Sequence, residues 1–166
     1  MFFLNQRRYL LQHGVHWVLP WYRMLFQSDS PAWSVTLPNL RKAPQGTLGN
    51  ELAQFLDAQG FEFFPQFERH DVYHVLLGYG TDAEEEARMQ FFLLGNGKRS
   101  LGVVLAVLGS VVLLPEFLRS YYWAWLRGRS GRCIAGWRFE YLLQESVVEL
   151  RQLIFGRPIT TARPFF

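Results

Sequence analysis

One cysteine, Cys133, occurs in 166 residues, which excludes a disulfide framework and a cysteine-built metal site. Lysine is nearly missing as well, since fifteen of the seventeen basic residues are Arg. No acidic residue precedes Asp29, and no Asp follows Asp82. The longest apolar run, Leu101 to Leu114, spans fourteen residues, short of the roughly twenty that cross a bilayer, and reads as a buried or interfacial helix. The N-terminus lacks the long apolar stretch of a secretory signal, because Asn5, Gln6, Arg7 and Arg8 follow Phe2, Phe3 and Leu4 at once. Too poor in Ser for a mitochondrial presequence, it reads as mature protein.

Aromatic residues, by contrast, make up 17% of the chain against 19% charged. That balance excludes a disordered tail. It also requires that aromatics beyond the core's capacity line a cavity, an interface or a membrane surface. Eight Arg lie between Arg119 and Arg163, against four Glu from Glu116 onward. The run Tyr121, Tyr122, Trp123, Trp125, Arg127 and Arg129 suits anionic headgroups, RNA or a protein partner, and equally a solvated helix end with cation–π contacts. RNA is the weakest of these, because no recognisable module is present and a net charge of +3 is a modest field.

Helical spacing dominates and strand alternation is scarce, which predicts an all-α protein. Residues 1–156 read as a single helical domain and 157–166 as a tail holding two Pro. A first helical segment, about Asn5 to Phe26, is interrupted by Gly14 and Pro20. Gln27 to Gly46 carries Pro31, Pro38 and Pro44 and reads as a loop. Thr47 caps a helix that runs to Ala58 and is stopped by Gly60. An aromatic connector, Phe61 to Pro65, leads to a helix from about Phe67 to Leu77 and a turn at Gly78, Tyr79 and Gly80. Thr81 and Glu84 fit a capping box for the next helix, which ends near Gly95. The apolar helix from Leu101 is expected to continue past Pro115 into Trp125, with a kink. Arg127 to Gly131 reads as a loop, and a last helix spans about Trp137 to Ile154.

His70, Asp71 and His74 fall within an arc of about 100° on one helix. Two His one turn apart suit one metal ion, as in the His-Glu-x-x-His zinc proteases, although Asp here replaces the Glu that serves as general base there. In the next helix Ala83, Ala87, Phe91, Leu93 and Leu94 define an apolar arc that includes Glu86, whereas Glu84 and Glu85 point outward, within reach of Arg88. A carboxylate aimed at an apolar face needs a partner. The turn after Leu77 folds Glu86 back toward the two His, so that partner is either a metal ion or a core His. A nitrogen and oxygen site of this kind suits zinc first, with manganese, iron or magnesium as alternatives. The competing patterns are weaker: Gly78-x-Gly80-x-x-Ala83 lacks the acidic residue of a dinucleotide turn, and no Asp is available for the later position of an HD phosphohydrolase. A nucleophile-elbow sequence is also absent. His13 and His16 read as residues of the first helix rather than ligands.

The run His70-Asp71-x-x-His74, followed after eleven intervening residues by Glu86, resembles the metal motif of the coenzyme Q biosynthesis protein 4 family. Val75 to Thr81, Gly46-Thr47-Leu48-Gly49, Gly128-Arg129, Phe139-Glu140 and Leu150-Arg151 are similar to other parts of the family pattern. The resemblance covers roughly Leu40 to Gly156. It implies a mostly helical fold with an apolar lipid cavity and a divalent metal held by His70, Asp71, His74 and Glu86, which are also the catalytic candidates. It further implies oxidative decarboxylation at ring carbon 1 of a polyprenylated aromatic quinone precursor, or a role in organising quinone-synthesis enzymes. The expected location is cytoplasmic and peripheral to a membrane. Expected partners are an isoprenoid lipid, the membrane surface, other quinone-biosynthesis enzymes and a second copy of the chain as a homodimer; nucleic acid is not among them. Only twenty residues separate the Gly-Thr-Leu-Gly stretch from His70, fewer than in many relatives, so a wall of the cavity is expected to differ.

Gly102, Ala106 and Gly109 lie within about 60° on one face of the apolar helix. Such a stripe either admits an isoprenoid chain or permits close helix packing. No flavin or nicotinamide motif is evident, so any oxygen step would draw on the metal, dioxygen or a partner. The rival to an enzyme is a non-catalytic lipid-binding or scaffolding protein.

Overall fold

The protein's structure, a computed structural model, describes residues 32–63 and 67–156. Among these are seven α-helices: α1 (Leu37–Arg41), α2 (Leu48–Gln59), α3 (Glu68–Leu77), α4 (Ala83–Gly95), α5 (Leu101–Leu113), α6 (Leu118–Ser130) and α7 (Val147–Phe155). Two 3₁₀ turns, Pro115–Phe117 and Phe139–Tyr141, complete the order, and the described residues form no strand. The all-α expectation holds. The expected first segment, Asn5 to Phe26, and the tail from Arg157 lie outside the described residues, as do His13 and His16.

Local chemistry sets most helix ends. The Thr47 side chain accepts from Asn50 N, and Gly60 closes α2 at φ 66°. Gly78, at φ 75°, does the same for α3. The capping expectation at α4 shifts by one residue: Asp82 accepts from the amides of Glu84 and Glu85, while the Thr81 hydroxyl donates to Gln59 Oε1. A shorter carboxylate directly before the helix reaches two free amides, which Thr81 one residue earlier does not.

Three further expectations are corrected. Part of the Pro-rich stretch is helical, because Pro38 falls in the first turn of α1, where its missing N–H costs nothing. The apolar helix does not run through Pro115; α5 and α6 meet at 102° across the 3₁₀ turn. Arg127 to Gly131 is helix to Ser130 rather than loop. Gly128 is there for packing: a Cβ would sit 2.1 Å from the Phe92 carbonyl oxygen of α4. Gly95 answers it from the other side, with a Cβ position 2.3 Å from the Trp125 oxygen.

The predicted last helix is also too long, since α7 begins only at Val147 behind its Ser146 cap. The preceding backbone is claimed elsewhere: Leu48 N and Gly49 N donate to the carbonyls of Glu145 and Leu143, and Val147 N donates to Gly46 O. The Gly-Thr-Leu-Gly stretch is thus the seam between the starts of α2 and α7. Around these contacts Leu52, Leu56, Tyr73, Leu76, Phe92 and Phe139 form a fully buried core.

Candidate metal centre

Helix α3 is short and buried on nearly every side, so its position is fixed from outside. At its start Glu68 is buried and accepts from Trp33 N at 3.1 Å. Arg69 donates to the carbonyls of Ala135 and Trp137 at 2.6 and 2.9 Å. At its end three carbonyls that have no partner within the helix are taken up by arginine. Arg151 donates to Val75 O and Leu76 O, and Arg127 to Leu77 O. Arg127 also lies over Phe155 at 4.5 Å. It is therefore an internal clamp, whereas Arg129, over Trp125, faces outward.

His70 and His74 project from this clamped helix toward Glu86 of α4. His74 Nε2 is 3.0 Å from Glu86 Oε1, and His70 Nε2 is 3.4 Å from Oε2. One ligand atom from each of the three residues lies within 4.8 Å of the others. Asp71 stands outside that cluster, with Oδ1 3.6 Å from His70 Nδ1. It faces the ring nitrogen that does not face Glu86. His74 Nδ1 is 3.1 Å from the Tyr79 carbonyl. A carbonyl only accepts, so Nδ1 carries a proton, and Nε2 is the nitrogen that faces Glu86, donating to its carboxylate or, with an ion in place, turning its lone pair to the ion. Phe55 of α2 stacks on the His74 ring at 5.3 Å.

Burial alone would depress the pKa of His70, but the Glu86 and Asp71 carboxylates outweigh it and raise it to about 9. For Glu86 burial acts upward, and the charges and hydrogen bonds of His70 and His74 outweigh it, bringing the pKa to about 2. The site as it stands is a charge-paired imidazole and carboxylate cluster.

The donor set fits a divalent ion. Bonds of about 2.1 Å to a tetrahedral ion place donors roughly 3.4 Å apart; the His70–Glu86 separation of 3.4 Å matches that value and the His74–Glu86 separation of 3.0 Å is slightly shorter. Each imidazole also has an acceptor behind its other nitrogen, the usual outer support of a ligating His. Glu84 and Glu85 lie apart from the cluster, and Arg88 pairs with Glu85.

Sequence reasoning passed over Phe55, the Tyr79 carbonyl and Gln90. The last sits one turn after Glu86, is buried, and has an Oε1 with no hydrogen-bond partner among the described residues. Only helical spacing from Glu86 could have found it. Of the expected groove residues, Gly102 is buried, while a Cβ at Gly109 would meet nothing within 4 Å. A separate cleft of about 480 Å³ lies between α1 and the end of α2, with Leu37, Arg41, Asp57 and Phe61 among its walls.

Comparisons with known proteins agree with this geometry. The family model for "Coenzyme Q (ubiquinone) biosynthesis protein Coq4" matches residues 66–155, which include both His, Asp71 and Glu86. Mitochondrial ubiquinone biosynthesis protein COQ4 homologs of Xenopus laevis and Xenopus tropicalis are each 27% identical, over 72% and 69% of this chain. The chain spans about half the length of these relatives, 50% and 49%. A solved Nostoc punctiforme structure, described as a candidate ubiquinone biosynthesis protein, superposes with a TM-score of 0.58 at 23% identity. That match covers 90% of this chain and 81% of the other, and it establishes the likeness of fold. With more than half of its length, and all of its candidate ligands, inside the matched model, the chain belongs to the coenzyme Q (ubiquinone) biosynthesis protein Coq4 family.

Proposed function

We propose that this chain serves ubiquinone biosynthesis by oxidative decarboxylation at ring carbon 1 of a polyprenylated aromatic precursor held at a divalent ion, zinc by preference. The observation that carries the reading is the convergence of His70, His74 and Glu86 within 4.8 Å. An ion there would supply Lewis acidity toward the phenolic or carboxylate oxygens of the ring. His74 offers Nε2 because the Tyr79 carbonyl holds its other proton. Asp71 orients the His70 ring, and Glu86 supplies the anionic ligand. Phe55 covers one face of His74 and keeps water from it. The polyprenyl tail is assigned to the stripe of Gly102, Ala106 and Gly109, where Gly109 leaves open space. Each methylene removed from water contributes about 0.8 kcal/mol, so a long tail dominates the affinity. The oxygen step falls to dioxygen or a partner enzyme.

The test replaces His74 or Glu86 with Ala and measures both bound metal and conversion of the prenylated acid. Loss of both is expected, and normal turnover in a metal-free variant would sink the reading. A second reading, a non-catalytic lipid-binding or scaffolding protein at the membrane, is favoured by the exposed apolar face of α5. Metal- and lipid-loaded protein that stays inert while co-purifying with quinone-synthesis enzymes selects it.

A further inference from the structure

Helix α5 departs from the rule that a surface helix shows water a polar face. It contains no charged residue. Only its Gly102, Val103 and Val107 are buried, while Leu101, Leu105, Leu108 and Val112 are 67%, 42%, 58% and 75% exposed. These four follow spacings of four, three and four, so they form one continuous stripe. Across the 102° bend α6 in turn exposes Leu118, Tyr122 and Trp123, by 46%, 55% and 60%. That face also carries the exposed Arg119 and Arg129, and α6 contains no acidic residue; Glu116 in the connecting turn is the one acid at the bend.

We infer that the elbow of α5 and α6 is a docking surface for an anionic lipid bilayer, with α5 lying in the interface rather than crossing it. At 1.5 Å per residue α5 is about 20 Å long, against a hydrocarbon thickness of about 30 Å. The charge pattern selects the occupant. A helix of a second copy would meet a seam flanked by charges that fix register and partner, but this stripe is bordered by Val104 and Val111 on one side and Gly109 on the other, with no charge. A bilayer needs no register. It favours an apolar stripe bordered by Tyr, Trp and Arg at headgroup level. The surface also reaches the metal centre: Ala83 and Ala87, on either side of Glu86, lie in one cluster with Leu114, Phe117 and Tyr121 of the elbow. The inference adds to the proposed function the face through which a bilayer-dissolved lipid would approach Glu86, but the docking itself does not depend on the ion.

The experiment floats the full chain with vesicles of phosphatidylcholine alone, or mixed with phosphatidylglycerol, in the presence and absence of a chelator. Binding is expected to be stronger on the mixed vesicles, unchanged by chelation, and accompanied by a blue shift of Trp fluorescence. The double variant L105E/L108E, with both substitutions at exposed positions, should lose binding by roughly tenfold or more while keeping the native circular dichroism spectrum. R119E/R129E should lose the preference for anionic vesicles while retaining the residual binding to neutral ones. The inference is overturned if wild-type protein stays unbound, or if L105E/L108E floats as well as wild type. It is equally overturned if sedimentation shows a dimer that L105E/L108E dissociates and the wild-type dimer ignores vesicles. Failure here leaves the metal and turnover measurements on His74 and Glu86 variants standing, so the two proposals fail separately.

Discussion

Replacing Gly128 with Ala tests whether the close approach of α4 and α6 is what the sequence needs a glycine for. The added Cβ would lie 2.1 Å from Phe92 O, 3.0 Å from Phe92 C and 3.1 Å from Asn96 N. Real Cβ contacts do not fall below about 3.0 Å, so the two backbones must part by about 0.9 Å. No side chain can rotate to absorb this, because every atom met is main chain. Overpacking of that kind costs about 3 kcal/mol, the upper end of its usual range. Ala gains back roughly 0.5–1 kcal/mol over Gly in a helix interior. The net expectation is a loss of about 2 kcal/mol, or a melting temperature lower by roughly 4–8 °C for a protein of this size. Gly109→Ala is the matched control: it too is a helical glycine, but its Cβ meets nothing within 4 Å. It should gain roughly 0.5–1 kcal/mol. Thermal and urea unfolding followed by circular dichroism would measure both variants. A Gly128→Ala protein as stable as Gly109→Ala would refute the packing argument.

Three further outcomes follow from buried polar contacts. Asn96→Ala removes the donors to Gly128 O and Arg132 O and the acceptor for Ile134 N; urea titration should show a loss of about 2–4 kcal/mol, because three buried main-chain groups lose their partner. Arg151→Met strips Val75 O and Leu76 O of their donor and should cost about 1–3 kcal/mol; competition with a chromogenic chelator should also show weaker metal binding than in Arg129→Met, whose side chain faces outward. Burial, with Arg69 nearby, lowers the Lys98 pKa from 10.5 to about 8, and the Lys98 contact over the Tyr73 ring at 4.6 Å offsets this only in part. The unfolded chain then holds a proton that the folded chain gives up, so the stability of wild type relative to Lys98→Met should rise between about pH 8 and 10.5 and be lowest at neutral pH. A difference that stays flat with pH would refute that assignment.

What the sequence made legible follows from how far apart the determinants lie. The candidate metal ligands come from two successive helices joined by a short turn, so helical spacing alone brings His70, His74 and Glu86 to facing sides. Helix ends set by a neighbouring side chain or glycine, at Thr47, Gly60 and Gly78, were readable for the same reason. Errors arose where a distant partner decides. Gly128 looks like a helix breaker until Phe92 of α4 is placed against it. The stretch before Val147 looks helical until Leu48 and Gly49 take its carbonyls. A helical wheel also leaves open which side of the neighbouring His70 ring the Asp71 carboxylate meets, and the structure puts it beside Nδ1.

The arginines carry the same lesson into the chemistry. In a list of residues their excess suggests an outer surface, and Arg119 and Arg129 meet that description. Arg69, Arg127 and Arg151 instead turn inward onto main-chain carbonyls at both flanks of α3. A planar guanidinium with five donors can satisfy two carbonyls at once, as Arg69 and Arg151 do, which lysine's point charge matches less well. Helix α3 needs such help because it is only ten residues long and no side chain caps its N-terminus, and helices of that length are marginal on their own. Its place is therefore set by contacts that none of the candidate ligands makes. His70 and His74 are held toward Glu86 by the protein itself, and an ion arriving there meets a geometry already built instead of having to fold one.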